Sequence, residues 1–453
     1  MKNVLCGVVL TIAICASVVP ALHAQSTGQA QPTPAELSRK VEELEQVVQQ
    51  LRSELDAVKK DHATGPPSVA EVASTSMPPL PATVSPALQD AAASAPSAPE
   101  KPSLAGLLGP TTLSGFVDVF YGYNSNQPAS RINAFHNFDI NSSQVGINMI
   151  ELVADKPVSS DVKVGYHVAL GFGQAMNQVN ATEIGPGGTE PNFAQYLKEG
   201  YLEYMAPVGK GLQINVGKFV TPAGAEVIET KDNWNYTRGI LFAWAIPYFH
   251  TGLSAKYAFS SKFALTGYLV NGWNNSTDNN SGKTTGFSAA ITPSSRFGIV
   301  QNYLVGPEGS TNGVFRHLSD TVVTFNPTSK LSLMANYDYG HDSQGPGAAV
   351  WWSGIAGYIK YAPDDKWAFA TRGEWFNDHN GFETATGVPL KLSEFTFTAQ
   401  RMLAGKLMSR LEFRRDMADQ NVFPYRDGTL GLRDNQNTVT LGLVYAFTSA
   451  DAK

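Results

Sequence analysis

One stretch of the chain, residues 221–246, combines charged and aromatic side chains without a regular period. Its charged and aromatic members include Glu226, Glu229, Asp232, Trp234, Tyr236 and Arg238. Carboxylate and guanidinium groups beside a narrow aqueous route set the local electric field for passing solutes. An exposed linker would not need the neighbouring Leu241, Phe242 and Trp244. We therefore expect this stretch to pack against a protein wall.

Histidines on the connecting segments are the other candidates for chemistry. They are His136, His250, His317, His341 and His379, with Ser319 and Asp320 after His317, and Asp342 and Ser343 after His341. Neighbours in sequence do not make a catalytic triad, which is assembled in space. We predict no catalytic residue.

Residues 274–282 carry Asp278 among several asparagines and could hold calcium through oxygen atoms. One carboxylate is a small ligand set, and a solvated, turn-rich loop explains the composition better. We predict no metal ion and no cofactor.

Between residues 111 and 447, runs of apolar and polar residues alternate with period two, which places one set on each face of a β-strand. The predicted strands are 111–123, 144–155, 161–173, 194–206, 211–220, 248–259, 262–273, 283–292, 296–305, 318–326, 330–340, 350–362, 366–376, 391–402, 406–416 and 437–447. Tight and long connections alternate between them. The pattern predicts an all-β fold, a transmembrane antiparallel up-and-down barrel of about sixteen strands, with an aqueous interior.

The two faces of the strands differ in chemistry. Leu411 and Phe413 alternate with Arg410, Glu412 and Arg414. An arginine facing the middle of the lipid costs about 2–4 kcal/mol, so the charged set must face inward. The predicted pore-lining residues are Lys163, Lys256, Arg372, Glu374, Glu394, Arg410, Glu412 and Arg414. A soluble sandwich is the alternative, but it would not explain long connections at one end only.

Within such a barrel, residues 221–246 form the third long connection. Irregular backbone is tolerated at membrane depth where it meets water or protein. We expect it to fold inward and narrow the channel. A surface lid or a contact between protomers is the alternative.

The first residues, 1–24, read as a secretory signal peptide with a positive start, an apolar stretch at 4–19 and a small residue at Ala24. Both cysteines, Cys6 and Cys15, lie inside it. The mature chain should therefore carry no thiol and no disulfide, and it should be exported in a Gram-negative cell.

Two segments separate the signal from the barrel. Residues 31–62 contain a coiled-coil seam formed by Leu37, Val41, Leu44, Val48, Leu51, Leu55 and Val58. Residues 63–110 are a Pro/Ala/Ser-rich linker that cannot bury a core. We expect the helix to lie in the periplasm and to help hold a homo-oligomer, a trimer or a dimer. Residues 448–453 form a C-terminal tail.

The formal net charge of the whole chain is −6, with 33 basic and 39 acidic residues and no basic stripe. Nucleic acid is therefore an improbable partner. The expected partners are outer-membrane lipid and small hydrophilic solutes.

Several segments in chain order resemble the OmpL-like β-barrel porin family. They are GFVD at 115–118, APVGKGL at 206–212, VGKFVTPAGAE at 216–226, DNWNYTR at 232–238, YFHTG at 248–252 and VNGWN at 270–274. The similarity extends over residues 113–447. It implies an outer-membrane barrel that works as a diffusion channel, but it does not supply a substrate. One departure is that Phe447 is followed by six further residues, whereas outer-membrane barrels usually end on an aromatic residue.

Together these patterns predict a porin in the cell outer membrane, a water-filled channel for passive diffusion of small hydrophilic solutes and ions. The alternatives are an outer-membrane barrel enzyme, a hydrolase, and an envelope tether or adhesin, which the coiled coil suggests.

Overall fold

The computed structural model describes residues 109, 111–183, 193–344, 348–426 and 431–452. The signal peptide at 1–24, the coiled coil at 31–62 and nearly all of the linker at 63–110 lie outside the described residues, as does Lys453 of the tail. Within the described residues, no helix is long and apolar enough to cross a lipid bilayer.

Sixteen strands close into one antiparallel barrel. They are β1 (Thr112–Asn124), β2 (Gln144–Lys156), β3 (Val164–Phe172), β4 (Leu197–Ala206), β5 (Leu212–Val220), β6 (Phe249–Ser260), β7 (Phe263–Val270), β8 (Thr284–Ser294), β9 (Phe297–Pro307), β10 (Phe315–Phe325), β11 (Leu331–Asp342), β12 (Val350–Tyr361), β13 (Trp367–Asp378), β14 (Leu390–Ala404), β15 (Leu407–Ala418) and β18 (Asn435–Thr448). Each strand pairs with its neighbour in sequence, and β18 pairs with β1 and β15 to close the ring. The predicted fold class is confirmed.

Smaller elements lie in the connections, and the sequence pattern did not predict them. Two short helices are α1 (Gln174–Val179) and α2 (Ile240–Trp244). A small two-stranded sheet joins β16 (Phe423–Pro424) to β17 (Leu432–Arg433). Within the described part of the chain, 3₁₀ turns occupy Phe193–Tyr196 and Thr230–Asp232 in connections and Ser449–Ala452 in the C-terminal tail.

Some predicted boundaries are wrong by a few residues. The fourth strand begins at Leu197 because Phe193–Tyr196 forms a 3₁₀ turn instead. The seventh ends at Val270 instead of reaching Trp273. Gly272 adopts a φ of 125°, a conformation that interrupts an extended strand.

The alternation of side chains sets the two surfaces of the wall. Residues such as Val117, Leu152, Phe395 and Leu441 are exposed on the outside, where a lipid bilayer is their natural solvent. The buried core lies inside the barrel, where α1 and α2 pack with residues of the connections. Phe138, in the connection after β1, lies 5.5 Å from both Phe242 and Tyr248, measured between ring centroids.

Candidate functional site

The connection between β5 and β6, residues 221–248, runs inside the barrel, and we call it the inner loop. Its side chains and backbone groups bond to inward-facing residues of β1, β13, β14 and β15. The contacts of five wall residues, Arg372, Glu412, Arg410, Arg414 and Asp118, show how it is held.

Arg372 on β13 joins the inner loop to the wall. Its Nη1 donates to Glu226 Oε1 at 2.6 Å and to the carbonyl of Thr237 at 2.6 Å, while its Nε donates to Glu394 Oε1 at 2.8 Å. The guanidinium is fully buried. A buried charge is stable only when paired and hydrogen-bonded, and this one has both kinds of partner.

Glu412 on β15 binds the loop through its backbone. The carboxylate accepts hydrogen bonds from the N–H of Tyr236 at 2.5 Å and of Thr237 at 2.9 Å, and from the Thr237 hydroxyl at 2.6 Å. The Thr398 hydroxyl on β14 donates to the same carboxylate at 2.6 Å. Charge-assisted bonds of this kind are roughly twice as strong as neutral ones.

Two arginines of β15 bind carbonyl oxygens of the loop. Arg410 donates to Thr230 O and Asn233 O, both at 2.5 Å. Arg414 donates to Arg238 O at 2.7 Å, and its Nε donates to Asp416 at 2.7 Å. These bonds do not depend on which side chains the loop carries at those positions.

Asp118 of β1, two strands from β15 in the barrel, also binds the loop. Its carboxylate accepts bonds from the Tyr236 hydroxyl at 2.8 Å, the Thr230 hydroxyl at 2.6 Å and Asn148 Nδ2 at 2.5 Å. The Tyr236 ring lies directly over Gly442 of β18, where a Cβ atom would collide with it. The glycine therefore makes room for the tyrosine.

The start of α2 is bound by two carboxylates. Glu226 Oε2 accepts from Gly239 N at 2.6 Å, and Glu374 of β13 accepts from Ile240 N. At the other end of α2, Trp352 Nε1 donates to Ala245 O at 3.0 Å. Side chains thus satisfy backbone groups at both ends of this short helix.

A different part of the inner loop contacts water. Glu229, Lys231, Asp232 and Trp234 are partly or fully exposed, and Lys231 pairs with Asp232 at 2.5 Å. Glu229 pairs with Lys198 of β4, which also bonds to Glu151 at 2.5 Å.

Across the lumen, a row of polar residues remains partly exposed. Gln213, Lys256, Thr266 and Ser288 lie directly opposite one another on β5, β6, β7 and β8. The open part of the barrel therefore lies between this row and the inner loop.

The predicted site residues divide accordingly. Of the loop set, Glu229, Asp232 and Trp234 contact water, while Glu226, Tyr236 and Arg238 are buried. Of the pore-lining set, Lys256 is partly exposed on β6, and Lys163 is exposed just before β3. The other six are at most 5% exposed because the inner loop covers them; they are Arg372, Glu374, Glu394, Arg410, Glu412 and Arg414. For these six, the expected contact with the channel water is corrected to burial. Glu394 bonds to Arg372 and Arg414 of the wall, and the other five contact the loop.

Asp118, Lys198 and Lys231 were missed by the sequence reasoning. A signal was present for two of them. Asp118 is the one charged residue of its strand, and Lys198 is followed by Glu199 in a predicted strand. The sequence of a strand does not show which loop an inward-facing charge will contact in the folded barrel.

At the long-loop end of the barrel, His136 joins the first long connection to the wall. Its ring nitrogens lie 2.7 Å from Asp139 Oδ2 and 2.8 Å from Asp416 Oδ2. Burial and the nearby Arg414 disfavour the imidazolium, but the carboxylates of Asp139 and Asp416 outweigh both and raise the pKa of His136 to about 9. The ring is therefore charged at neutral pH.

The histidine-based alternatives find little support in the geometry. His317 and Asp320 lie on opposite faces of β10, since His317 is partly exposed and Asp320 is fully buried inside. His250 is buried, with Nδ1 2.9 Å from the carbonyl of Gly272. No group of three or more His, Cys, Asp or Glu side chains in the described part of the chain is arranged to hold a metal ion.

The chain is similar in fold to several solved structures. The anion-selective porin from Comamonas acidovorans matches with a TM-score of 0.51 at 10% identity, over 74% of this chain and 99% of that chain. OmpT of Vibrio cholerae matches at 0.48 and 11%, over 74% and 97%, and the outer membrane channel DcaP of Acinetobacter baumannii at 0.47 and 12%, over 74% and 97%. At such identities the likeness concerns the fold alone.

No curated protein is similar enough to count as a relative. A family model described as "Putative beta-barrel porin-2, OmpL-like" matches residues 110–447, which is nearly the whole barrel. The match covers three quarters of the chain and agrees with the closed barrel of sixteen strands. The chain therefore belongs to this OmpL-like family of β-barrel porins and is an outer-membrane porin.

Proposed function

We propose that small hydrophilic solutes and ions diffuse passively through the barrel and that the inner loop forms its constriction. The observation that carries the proposal is the position of the loop across the interior. One part of it is fixed to β13, β15 and β1, while Glu229, Lys231, Asp232 and Trp234 keep contact with water.

The charges that a passing solute meets are those exposed to water. Asp232 and Lys231 lie on the loop, and Lys256 lies on the facing wall. Arg372, Arg410 and Arg414 do not contact the solute directly, because they are buried beneath the loop that they hold in place. This division supports a selectivity that depends on few side chains.

Planar-bilayer conductance of the refolded mature protein tests the proposal. We expect ohmic, step-like conductance, and Asp232→Lys should shift the reversal potential in a salt gradient toward anion preference. Asp365→Lys is the matched control, since Asp365 lies exposed in the connection between β12 and β13. If the protein conducts and Asp232→Lys leaves its reversal potential unchanged, the loop does not form the constriction that sets selectivity. If the protein shows no conductance at all, the barrel is not a channel.

We further propose that the protein is not an enzyme, that residues 31–62 lie in the periplasm and that the chain forms a homo-oligomer. The opposite orientation of His317 and Asp320 supports the first point. The start of β1 and the end of β18 lie at the end of the barrel that has the short connections, which supports the second point, and the coiled-coil seam supports the third. Hydrolysis of a lipid or peptide substrate that is abolished by one histidine substitution would contradict the first.

A further inference from the structure

Two histidines face each other on the outer wall of the barrel. His317 of β10 and His341 of β11 are direct partners in the register of these antiparallel strands. Both are partly exposed, on the same face as the exposed Phe315, Tyr337 and Tyr339. Because β10 begins at Phe315 and β11 ends at Asp342, the pair lies at the rim where the long connections emerge.

The separation of the two rings suits a shared metal ion. Their centroids are 5.9 Å apart. With metal–nitrogen bonds of about 2.0–2.1 Å, two imidazoles on one ion have ring centres about 5–6 Å apart. The separation of the His317 and His341 rings lies within this range.

A hydrogen bond orients the first of these rings. The hydroxyl of Tyr303 on β9 lies 2.8 Å from His317 Nδ1. When Nδ1–H donates to the phenolic oxygen, Nε2 keeps its lone pair free for a metal. Metal-binding histidines are commonly fixed in this way by a hydrogen bond at the other ring nitrogen.

The charged neighbours in sequence do not compete for this position. Arg316 Nε donates to Asp342 Oδ2 at 2.9 Å, and its guanidinium packs against the Trp273 ring at 4.7 Å. Both residues thus belong to the inner face. The outer rim offers two imidazoles and access to water.

We propose that His317 and His341 bind one divalent transition-metal ion at the outer rim. Imidazole ligands suit Cu²⁺, Ni²⁺ and Zn²⁺, and affinity follows the general order in which Cu²⁺ binds most tightly. Water completes the coordination. The proposal is independent of conduction through the barrel, because the pair is outside the lumen.

The test is Cu²⁺ titration of the refolded mature protein in detergent, with electron paramagnetic resonance of the bound ion. We expect one tight site per chain and a spectrum split by two equivalent nitrogens. His317→Gln and His341→Gln should each abolish the tight site, and Tyr303→Phe should weaken it by about tenfold. His379→Gln is the matched control, because His379 is an exposed rim histidine stacked on Trp351, with 4.3 Å between ring centroids.

Equal Cu²⁺ affinity in wild type and in the His317→Gln/His341→Gln double variant would overturn the proposal. A spectrum with a single nitrogen would do the same. Heat-dependent gel mobility reports whether each variant is folded. Unchanged conductance in all of them is the expected result for a site on the outer wall.

Discussion

Arg372 is surrounded by groups that need its charge. Glu226 comes from the inner loop and Glu394 from the neighbouring strand, and both lie within 2.8 Å of the guanidinium. Removing one partner of a buried ion pair costs about 3–5 kcal/mol, because the remaining charge is left without compensation. Single residues beneath the loop thus determine whether the loop holds its place.

We expect Arg372→Met to weaken the attachment of the inner loop to the wall by about 3–5 kcal/mol. The variant should then give larger, noisier single-channel currents. Lys256→Met is the control, since Lys256 is an inward lysine with no ion pair to another described residue. It should alter selectivity without added noise. Arg372→Met traces that match those of the wild type would show that the arginine does not hold the loop.

Gly442 offers a second test at the residue scale. A methyl group there would meet the Tyr236 ring, so Gly442→Ala should destabilise the protein by about 1–3 kcal/mol through overpacking. Gly357→Ala should be nearly neutral, because a Cβ at that position meets no atom within 4 Å. Urea midpoints in lipid vesicles measure both. Equal midpoints for the two variants would mean that the ring moves aside freely.

The connections at the long-loop end act as elements that depend on the wall. His136, in the connection between β1 and β2, bonds to Asp416 on β15 across 280 residues of sequence. Its pKa is raised from 6.5 to about 9. The charged ring thus stabilises the folded connection fully below pH 6.5, and the stabilisation is lost as the pH rises through about 9.

We therefore expect residues 125–143 to become progressively more sensitive to protease between about pH 6.5 and 9, with a total loss of at most about 3 kcal/mol of stability. The His136→Gln variant should be cleaved more readily at neutral pH and should show a flat profile. Limited proteolysis across this pH range measures both. A wild-type profile as flat as that of the variant would exclude the histidine as the cause.

The strands could be predicted because the alternation of apolar and polar residues that specifies each strand lies within the strand itself. Alternation along β15 identifies Arg410, Glu412 and Arg414 as inward-facing without knowledge of any partner. Their burial could not be predicted, since it depends on a loop about 175 residues earlier in the chain. A separation of 118 residues in sequence hides the contact between Asp118 and Tyr236 in the same way. The alternation along each strand predicts the direction of each side chain, whereas tertiary contacts determine whether that side chain contacts water.

At the scale of the whole molecule, the barrel carries a long N-terminal extension. The seam of residues 31–62 repeats every 3.5 residues, which is the period of a helix that packs against copies of itself. Association through such a helix would add to whatever contact the barrels make in the membrane.

We expect Leu44→Asp, which places a charge in the seam, to lower the temperature at which the oligomer dissociates on a denaturing gel. Gln46→Asp lies off the seam and is the control. Deletion of residues 31–62 should have a larger effect than either substitution. If the mass and heat resistance of the oligomer survive the deletion, the helix does not hold protomers together.

Arg410 and Arg414 bind main-chain oxygens of the inner loop. The anchoring of the loop and the selectivity of the pore therefore depend on different chemical groups. Any amino acid except one that distorts the backbone presents the same carbonyl to these arginines. The residues that meet the solute can therefore be exchanged, by evolution or by an engineer, while the anchoring of the loop stays intact. A panel of pores with different preferences can be built on one unchanged barrel.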